Sequence, residues 1–324
     1  MTDSSRSQRS ALGPETTAEE ASRGADLSGE TIVVTGGSAG LGVETARVLA
    51  LRGARIVSVV RDRAKGEAAA ATIREAVPGA QVELAVLDLF DLDSVRRGGD
   101  EIRQRFPKID RLINNAGVMA CPLGRTAQGL DTQLGTNHLG HFVLTARLMP
   151  ALLAAAPGRI VNLSSGGHRM SPIRFEDPFF EKEPYDKWMA YGQAKTANVL
   201  FAVELDRRYR DRGLRAFAVH PGAIHTELGR HMGADDFKAL MGKRPQSEPM
   251  KFKQVPQGAA TSVWAAVSPD LEGRGGVYCE DCGVAPVIDT PGSSVGVMSW
   301  AVDEQAAAQL WTLSEAWSGE KFPD

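Results

Sequence analysis

The chain has 324 residues, 43% of them hydrophobic, and a formal net charge of −3, with 37 Lys and Arg set against 40 Asp and Glu. That composition supplies a full apolar core and lacks the basic footprint of a nucleic-acid or membrane-surface binder. No apolar run is long enough to span a bilayer, and three cysteines make no disulfide framework.

Residues 1–28, rich in Ser, Thr, Arg and Glu, read as a disordered tail. They have no hydrophobic stretch and so do not resemble a secretory signal; the expectation is a soluble, cytoplasmic protein. Strand and helix patterns then alternate. Strands are expected at Thr31–Val34, Arg55–Val60, Gln81–Leu87, Arg111–Ile113, Arg159–Leu163, Leu214–Val219 and Gly276–Cys279. Helices are expected at Leu41–Leu51, Ala64–Ala76, Ser94–Arg105, Gly129–Ala156, Tyr191–Arg212 and Gln257–Val267. Strands that are nearly continuous apolar runs are covered on both faces. The alternation predicts an α/β fold, a single doubly wound parallel sheet of the Rossmann type with helices on both faces. It occupies residues 29–290 as one domain. A C-terminal extension, 291–324, carries one helix around Glu304–Trp317.

The first strand enters Thr35-Gly36-Gly37-Ser38-Ala39-Gly40-Leu41-Gly42 and leaves as a helix. Without Cβ atoms at 36, 40 and 42, a pyrophosphate can lie against the backbone and the helix N-terminus. In dinucleotide folds an acid about 20 residues further on binds the adenosine ribose and selects NAD. Here the end of the second strand holds Val60 and then Arg61, with Asp62 one step later in the turn. The forked guanidinium suits a 2′-phosphate, so NADP(H) is favoured and NAD(H) remains possible.

Tyr191 and Lys195 stand four residues apart, one turn of a helix, on one face. A free phenol titrates near 10, and a neighbouring ammonium lowers that value toward use as an acid or base. Other motifs fall at strand ends: Asp88 after the third strand, Asn115 after the fourth, Ser165 after the fifth, Pro221-Gly222 after the sixth. Ligands on such sheets collect at that rim, so these residues define a single site.

Thr-Gly-x-x-x-Gly-x-Gly, Asn114-Asn115-Ala116-Gly117, Ser164-Ser165, Tyr191/Lys195 and Pro221-Gly222, in this order, resemble the short-chain dehydrogenase/reductase family from about Gly29 to about Ala285. Arg61–Glu67, Thr136–Phe142 and Tyr278–Cys282 look like its retinol dehydrogenase and protochlorophyllide reductase branch. The resemblance implies a catalytic tetrad of Asn137, Ser165, Tyr191 and Lys195. Ser165 would hold the substrate oxygen, Tyr191 pass the proton, and Lys195 tune Tyr191 and bind the nicotinamide ribose. Asn137 would hold a water that connects Lys195 to solvent. The coenzyme would lie on Gly36, Ser38, Ala39, Gly40, Leu41, Gly42, Arg61, Asp88, Leu89, Asn115, Ala116, Gly117, Tyr191, Lys195, Pro221, Gly222 and Thr226. Ser164 competes with Ser165, and the family's pattern selects the second serine.

The connection from Ser165 to Tyr191 is longer than the family's usual one. It reads as a packed loop that borders the substrate pocket and hinders the helix pairing through which many members tetramerise, leaving a monomer or homodimer. Tyr185 lacks a lysine four residues on. Residues 225–257 occupy the place of a substrate lid. Met232, Phe237, Leu240, Met241, Met250 and Phe252 suit a hydrophobic carbonyl or alcohol, or else pack on the core. Cys279 and Cys282 read as a tight turn, and the six histidines are too scattered for a metal site. An epimerase or dehydratase on the same scaffold, and a non-catalytic dinucleotide-sensing protein, are the competing expectations.

Overall fold

The computed structural model of the chain describes residues 12–224, 227–229, 233, 236, 251–290 and 292–323. Along the first strand, Thr31–Thr35 (β1), Ile32 and Val34 enter one core and Val33 the other. Successive side chains point to opposite faces of a strand, so an all-apolar run must be covered twice. The same holds for Arg55–Val60 (β2), whose Ile56 and whose Val57 and Val59 divide between the two cores.

Further strands are Val82–Val86 (β3), Arg111–Asn114 (β4), Gly158–Leu163 (β5), Leu214–His220 (β6), Ala223–Ile224 (β7), Phe252–Lys253 (β8), Val277–Glu280 (β9) and Gly283–Val284 (β10). The main sheet has the order β10-β9-β6-β5-β4-β1-β2-β3. Every pairing from β3 to β9 is parallel, and only β10 runs antiparallel to its neighbour. The strand order reverses between β1 and β4, which opens the crevice where such sheets bind ligands.

The helices among the described residues are Ala18–Ala21 (α1), Gly40–Leu51 (α2), Arg63–Ala76 (α3), Leu92–Arg105 (α4), Thr132–Leu134 (α5), Gly140–Ala154 (α6), Lys187–Tyr209 (α7), Val255–Val267 (α8) and Glu304–Ser318 (α9). Residues of α1, α2, α3 and α8 bury their apolar faces in one core, and those of α4, α6 and α7 in the other.

Three local readings need correction. The first 28 residues are not one uniform tail. Thr17 and Glu20 form a reciprocal capping box at α1, and Ala18, Ala21 and Leu27 are buried in the core of α2 and α8. The long helix expected at Gly129–Ala156 is broken. Gly129 turns at φ +78°, Asp131 accepts from the Gln133 and Leu134 amides to start α5, and residues Gly135–Leu139 wind as a π-helix before α6. The helix expected from Tyr191 begins earlier, because Asp186 caps the Trp188 and Met189 amides.

The C-terminal extension is an integral layer. Phe322 packs at 4.3 Å from Trp311 and 4.9 Å from Phe142 between ring centroids. Arg96 and Arg147 converge on Glu320 at 3.2 and 3.0 Å, and His138 Nε2 lies 2.8 Å from Ser314 Oγ. The helix α9 itself runs along α7.

Candidate active site

The glycine turn after β1 is shaped by what a side chain would strike. A Cβ at Gly42 would lie 2.2 Å from the Gly36 carbonyl oxygen, and one at Gly36, which sits at φ +73°, would lie 2.9 Å from Asn115 Nδ2. Asn115 in turn donates from Nδ2 to the Thr35 carbonyl at 2.7 Å. The Thr35 hydroxyl accepts from the Asn115 and Ala116 amides at 2.9 and 3.0 Å. The β1 and β4 ends are therefore laced together at the switch point. The N-terminus of α2 carries no side-chain cap, so its first amides are left for a ligand.

A cavity of about 2160 Å³ opens over this rim. An ordinary small-molecule site measures roughly 300–1,000 Å³, so the space holds a dinucleotide with room for a second ligand. Gly36, Ser38, Ala39, Gly40, Leu41, Gly42, Arg61, Asp88, Leu89, Asn115, Ala116, Gly117, Ser165, Tyr191, Lys195, Pro221 and Gly222 all line it. Thr226 and most of the expected lid, including Met232, Phe237, Leu240, Met241 and Met250, lie outside the described residues; Phe252, on β8, lines the cavity.

Arg61 is exposed at the mouth, and Asp62 caps α3 by accepting from the Lys65 amide at 3.1 Å. Sequence reasoning passed over Lys65, which lines the cavity with Arg61 and Ser38. Its signal was the four-residue spacing from Arg61 across a helix start. Pro14 and Glu15 also reach the cavity, where Gln257 Nε2 donates to the Glu15 carboxylate at 2.9 Å.

At the other end, Tyr191 is buried, and the nearby Ser165 hydroxyl favours its charged form. Its ring lies where a Cβ on Gly167 would come within 2.6 Å of Cε1, so that glycine makes the space for the phenol. Ser164 is spent elsewhere, its hydroxyl donating to the Lys195 carbonyl at 2.8 Å. Lys195 Nζ donates to the Leu163 carbonyl at 3.0 Å and lies 5.7 Å from the centre of the Tyr191 ring.

The electrostatics differ from the expectation that Lys195 depresses the phenol. Burial dominates both groups: it pushes Tyr191 up to about 12, against the weaker opposing effect of the Ser165 hydroxyl, and Lys195 down to about 8. The ammonium points at a carbonyl rather than at the phenolic oxygen, and both charged forms are poorly solvated.

The Asn137 side chain is engaged by backbone. Its side chain accepts from the Val118 amide at 2.8 Å and donates to the Val118 carbonyl at 2.9 Å, which pins the loop after β4. Its own carbonyl accepts from His141 Nδ1 at 2.9 Å, and His141 Nε2 lies 2.9 Å from the Thr35 hydroxyl. The carbonyl only accepts, so Nδ1 carries the proton. His141 thus connects the glycine turn to Asn137, a role that nothing in the sequence signalled.

The long loop before α7 packs away from the cavity. Asp177 accepts from the Glu181, Lys182 and Glu183 amides, Arg174 lies 4.3 Å over Phe180, and Phe179 meets Trp317 at 5.1 Å. Only its first residues, 166, 167, 169 and 170, line the cavity, together with Trp188. Tyr185 is structural, donating to the Cys121 carbonyl at 3.0 Å. Cys279 and Cys282 are free, buried thiols across the β9–β10 turn, where Asp281 and Cys282 take positive φ. Among the described residues no three His, Cys, Asp or Glu side chains gather as a metal site requires, and no helix is long and apolar enough to cross a membrane.

The short chain dehydrogenase profile matches residues 30–236. The chain belongs to the short-chain dehydrogenase/reductase family. Retinol dehydrogenase 12 of Mus musculus is 41% identical over 288 residues, spanning 89% of this chain and 86% of that protein. Short-chain dehydrogenase/reductase prx1 of Penicillium roqueforti is 39% identical over 294 residues, with 89% and 85% covered. The retinol dehydrogenase relatives place the chain on that branch of the family. A solved structure of a putative uncharacterized protein from Mycobacterium Paratuberculosis superposes with a TM-score of 0.73 at 38% identity, covering 94% of this chain and 98% of that one. The protein is an NAD(P)-dependent oxidoreductase of this family.

Proposed function

We propose that the protein transfers a hydride between NADP(H) and a hydrophobic ketone, aldehyde or secondary alcohol, with Tyr191 as the general acid or base. The observation that carries this reading is the buried Tyr191 beside the Ser165 hydroxyl and Lys195, in the same cavity as the uncapped N-terminus of α2.

The residues present fit a phosphorylated dinucleotide. The glycine turn leaves no room for side chains where a pyrophosphate would lie, and Arg61, Lys65 and Ser38, which line the same cavity, would hold a 2′-phosphate. Two solved dehydrogenases of this fold, from Burkholderia cenocepacia and Beutenbergia cavernae, were crystallised with NADP, at 23% and 24% identity and TM-scores of 0.61 and 0.63. When bound, the nicotinamide supplies the hydride.

The chain supplies position and the proton. Ser165 donates to the substrate oxygen and holds it beside the phenol. Tyr191, kept protonated by burial, gives its proton to that oxygen during reduction and takes it back during oxidation. Lys195, charged below about pH 8, would bind the nicotinamide ribose hydroxyls. Val118, Met119, Met170, Trp188 and Leu228 give the substrate end its apolar lining, which supports a hydrophobic substrate. The seating of α9 along α7 supports a monomer or homodimer over a tetramer built on that helix.

The test is a spectrophotometric screen of aliphatic, aromatic, steroid and terpenoid carbonyls with both coenzymes. Consumption of NADPH with apolar carbonyls, exceeding that of NADH, is expected. Tight NADPH binding with no turnover across the panel would instead favour a non-catalytic sensor. Turnover without net coenzyme consumption would favour an epimerase or dehydratase.

A further inference from the structure

The loop that carries Ser165 is tied to a segment more than a hundred residues away, and the tie is a buried histidine. His168 is fully buried. Its Nδ1 lies 2.7 Å from the Ser165 carbonyl oxygen, and its Nε2 lies 3.1 Å from the Met298 amide nitrogen. The carbonyl only accepts and the amide only donates, so Nδ1 holds the proton and Nε2 offers its lone pair. Burial pushes this imidazole down to about 4, which keeps it neutral in that tautomer. The ring packs at 4.9 Å from Tyr278.

The next residue reinforces the tie. Arg169 donates from Nε to the Ser293 carbonyl at 3.1 Å and from Nη2 to the Gly296 carbonyl. Glu280, at the end of β9, accepts from the Gly296 amide at 2.6 Å. Gly296 sits at φ +85°, and a Cβ there would approach the Pro286 carbonyl oxygen to 2.7 Å. Residues 292–298 thus form a strap stretched along the serine loop. Arg169, Glu280 and strap residues 292–295 line the same cavity as Tyr191, with Val295 half-exposed.

We propose that His168 is a positioning residue, which fixes the Ser165 loop against the strap, and that the strap, through Val295, is a wall that selects substrates by size. The proposal rests on the assignment of Ser165 and Tyr191 to catalysis. A group held at one end by the catalytic loop and at the other by the wall transmits the wall's position to the serine, so substrate size and turnover are linked.

The experiment uses the full chain with NADPH and two probes, butanal and decanal. His168→Phe keeps the ring but loses both hydrogen bonds; kcat is expected to fall about tenfold or more, about 1.4 kcal/mol, with NADPH Kd within about twofold of wild type. His168→Gln, whose amide both donates and accepts, is expected to recover most of kcat. A merely structural histidine would weaken coenzyme binding together with kcat and would not be rescued by an amide. Val295→Trp is expected to raise KM about tenfold for decanal and about twofold for butanal. Wild-type kcat in His168→Phe, or equal effects of Val295→Trp on both aldehydes, would overturn the proposal. If His168→Phe does not fold, Arg169→Met releases the strap from the other side, and unchanged kinetics there would overturn it equally. Ser165→Ala separates the two levels: full turnover in that variant defeats the reading of the serine itself, whereas its loss beside an unaffected His168→Phe defeats only the strap.

Discussion

The proposed nucleotide half of the cavity and the proposed substrate half are built by different means. At the nucleotide end the contacts come from backbone and from strand ends that are neighbours in one sheet: the turn after β1, the Thr35–Asn115 lacing, the bare start of α2. Glycine is required there, because a single Cβ would collide with main-chain atoms. At the substrate end the wall is assembled from the serine loop, Trp188, β8 and a strap near the C-terminus. Side chains join the serine loop to the strap, through His168 and Arg169, and Glu280 ties the strap to β9. A backbone cradle tolerates little change and recognises a constant ligand. A wall fastened by side chains can be altered residue by residue, as one scaffold with many substrates requires.

Variants sharpen this contrast in descending order of effect. Lys195→Met is expected to lower turnover about a thousandfold, within the range of acid–base catalysis, while raising the thermal midpoint of the coenzyme-free protein at pH 7. The sign follows from burial. Lys195 titrates at about 8 in the fold instead of near 10.5, so the buried charge costs stability below pH 8. That cost, on the order of 3 kcal/mol, fades as pH rises from about 8 to 10.5. Melting curves of both proteins across that window should therefore converge; a constant offset would contradict burial of the ammonium as the cause. Gly42→Ala should weaken NADPH about a hundredfold by fluorescence titration, because its Cβ would meet the Gly36 carbonyl oxygen at 2.2 Å. Retained affinity would remove the claim that the cradle is backbone.

Arg61→Ala is a smaller perturbation on an exposed side chain. About a tenfold loss of NADPH affinity is expected, about 1.4 kcal/mol, with NADH little changed; equal losses would undo the choice of coenzyme. Smallest of all, Glu15→Gln is expected to tighten either coenzyme by no more than about twofold, since it removes one exposed negative charge at the cavity edge. A large loss in that titration would make the N-terminal segment part of the nucleotide site.

The same division explains what was legible in the sequence. Gly36, Gly40, Gly42, Asn115 and Pro221-Gly222 could be placed because each lies at the end of a strand with strong apolar periodicity, and one sheet brings those ends to one rim. Tyr191 and Lys195 were readable from a single helical turn. His141 and His168 were not, because each acts between residues that only tertiary folding brings together. The broken helix around Asn137 was hidden for a related reason: its π-helical turn is held by Val118 and His141, not by local propensity. The direction of the Tyr191 shift also escaped the sequence. The four-residue spacing predicted an ammonium acting on the phenol, but burial of both groups governs their shifts, and the ammonium is turned to the Leu163 carbonyl. The ordered stretch around α1 was missed because the buried Ala18, Ala21 and Leu27 give a polar segment too little apolar content to stand out.

The most direct test is the Tyr191→Phe variant, followed through coenzyme binding and through one turnover with an accepted carbonyl. Turnover reduced by about a thousandfold or more, with NADPH bound as tightly as by the unsubstituted protein, is the predicted result. Substantial turnover from the phenylalanine variant would show that the proton reaches the substrate from some other group, and the assignment of this site's chemistry would fall with it.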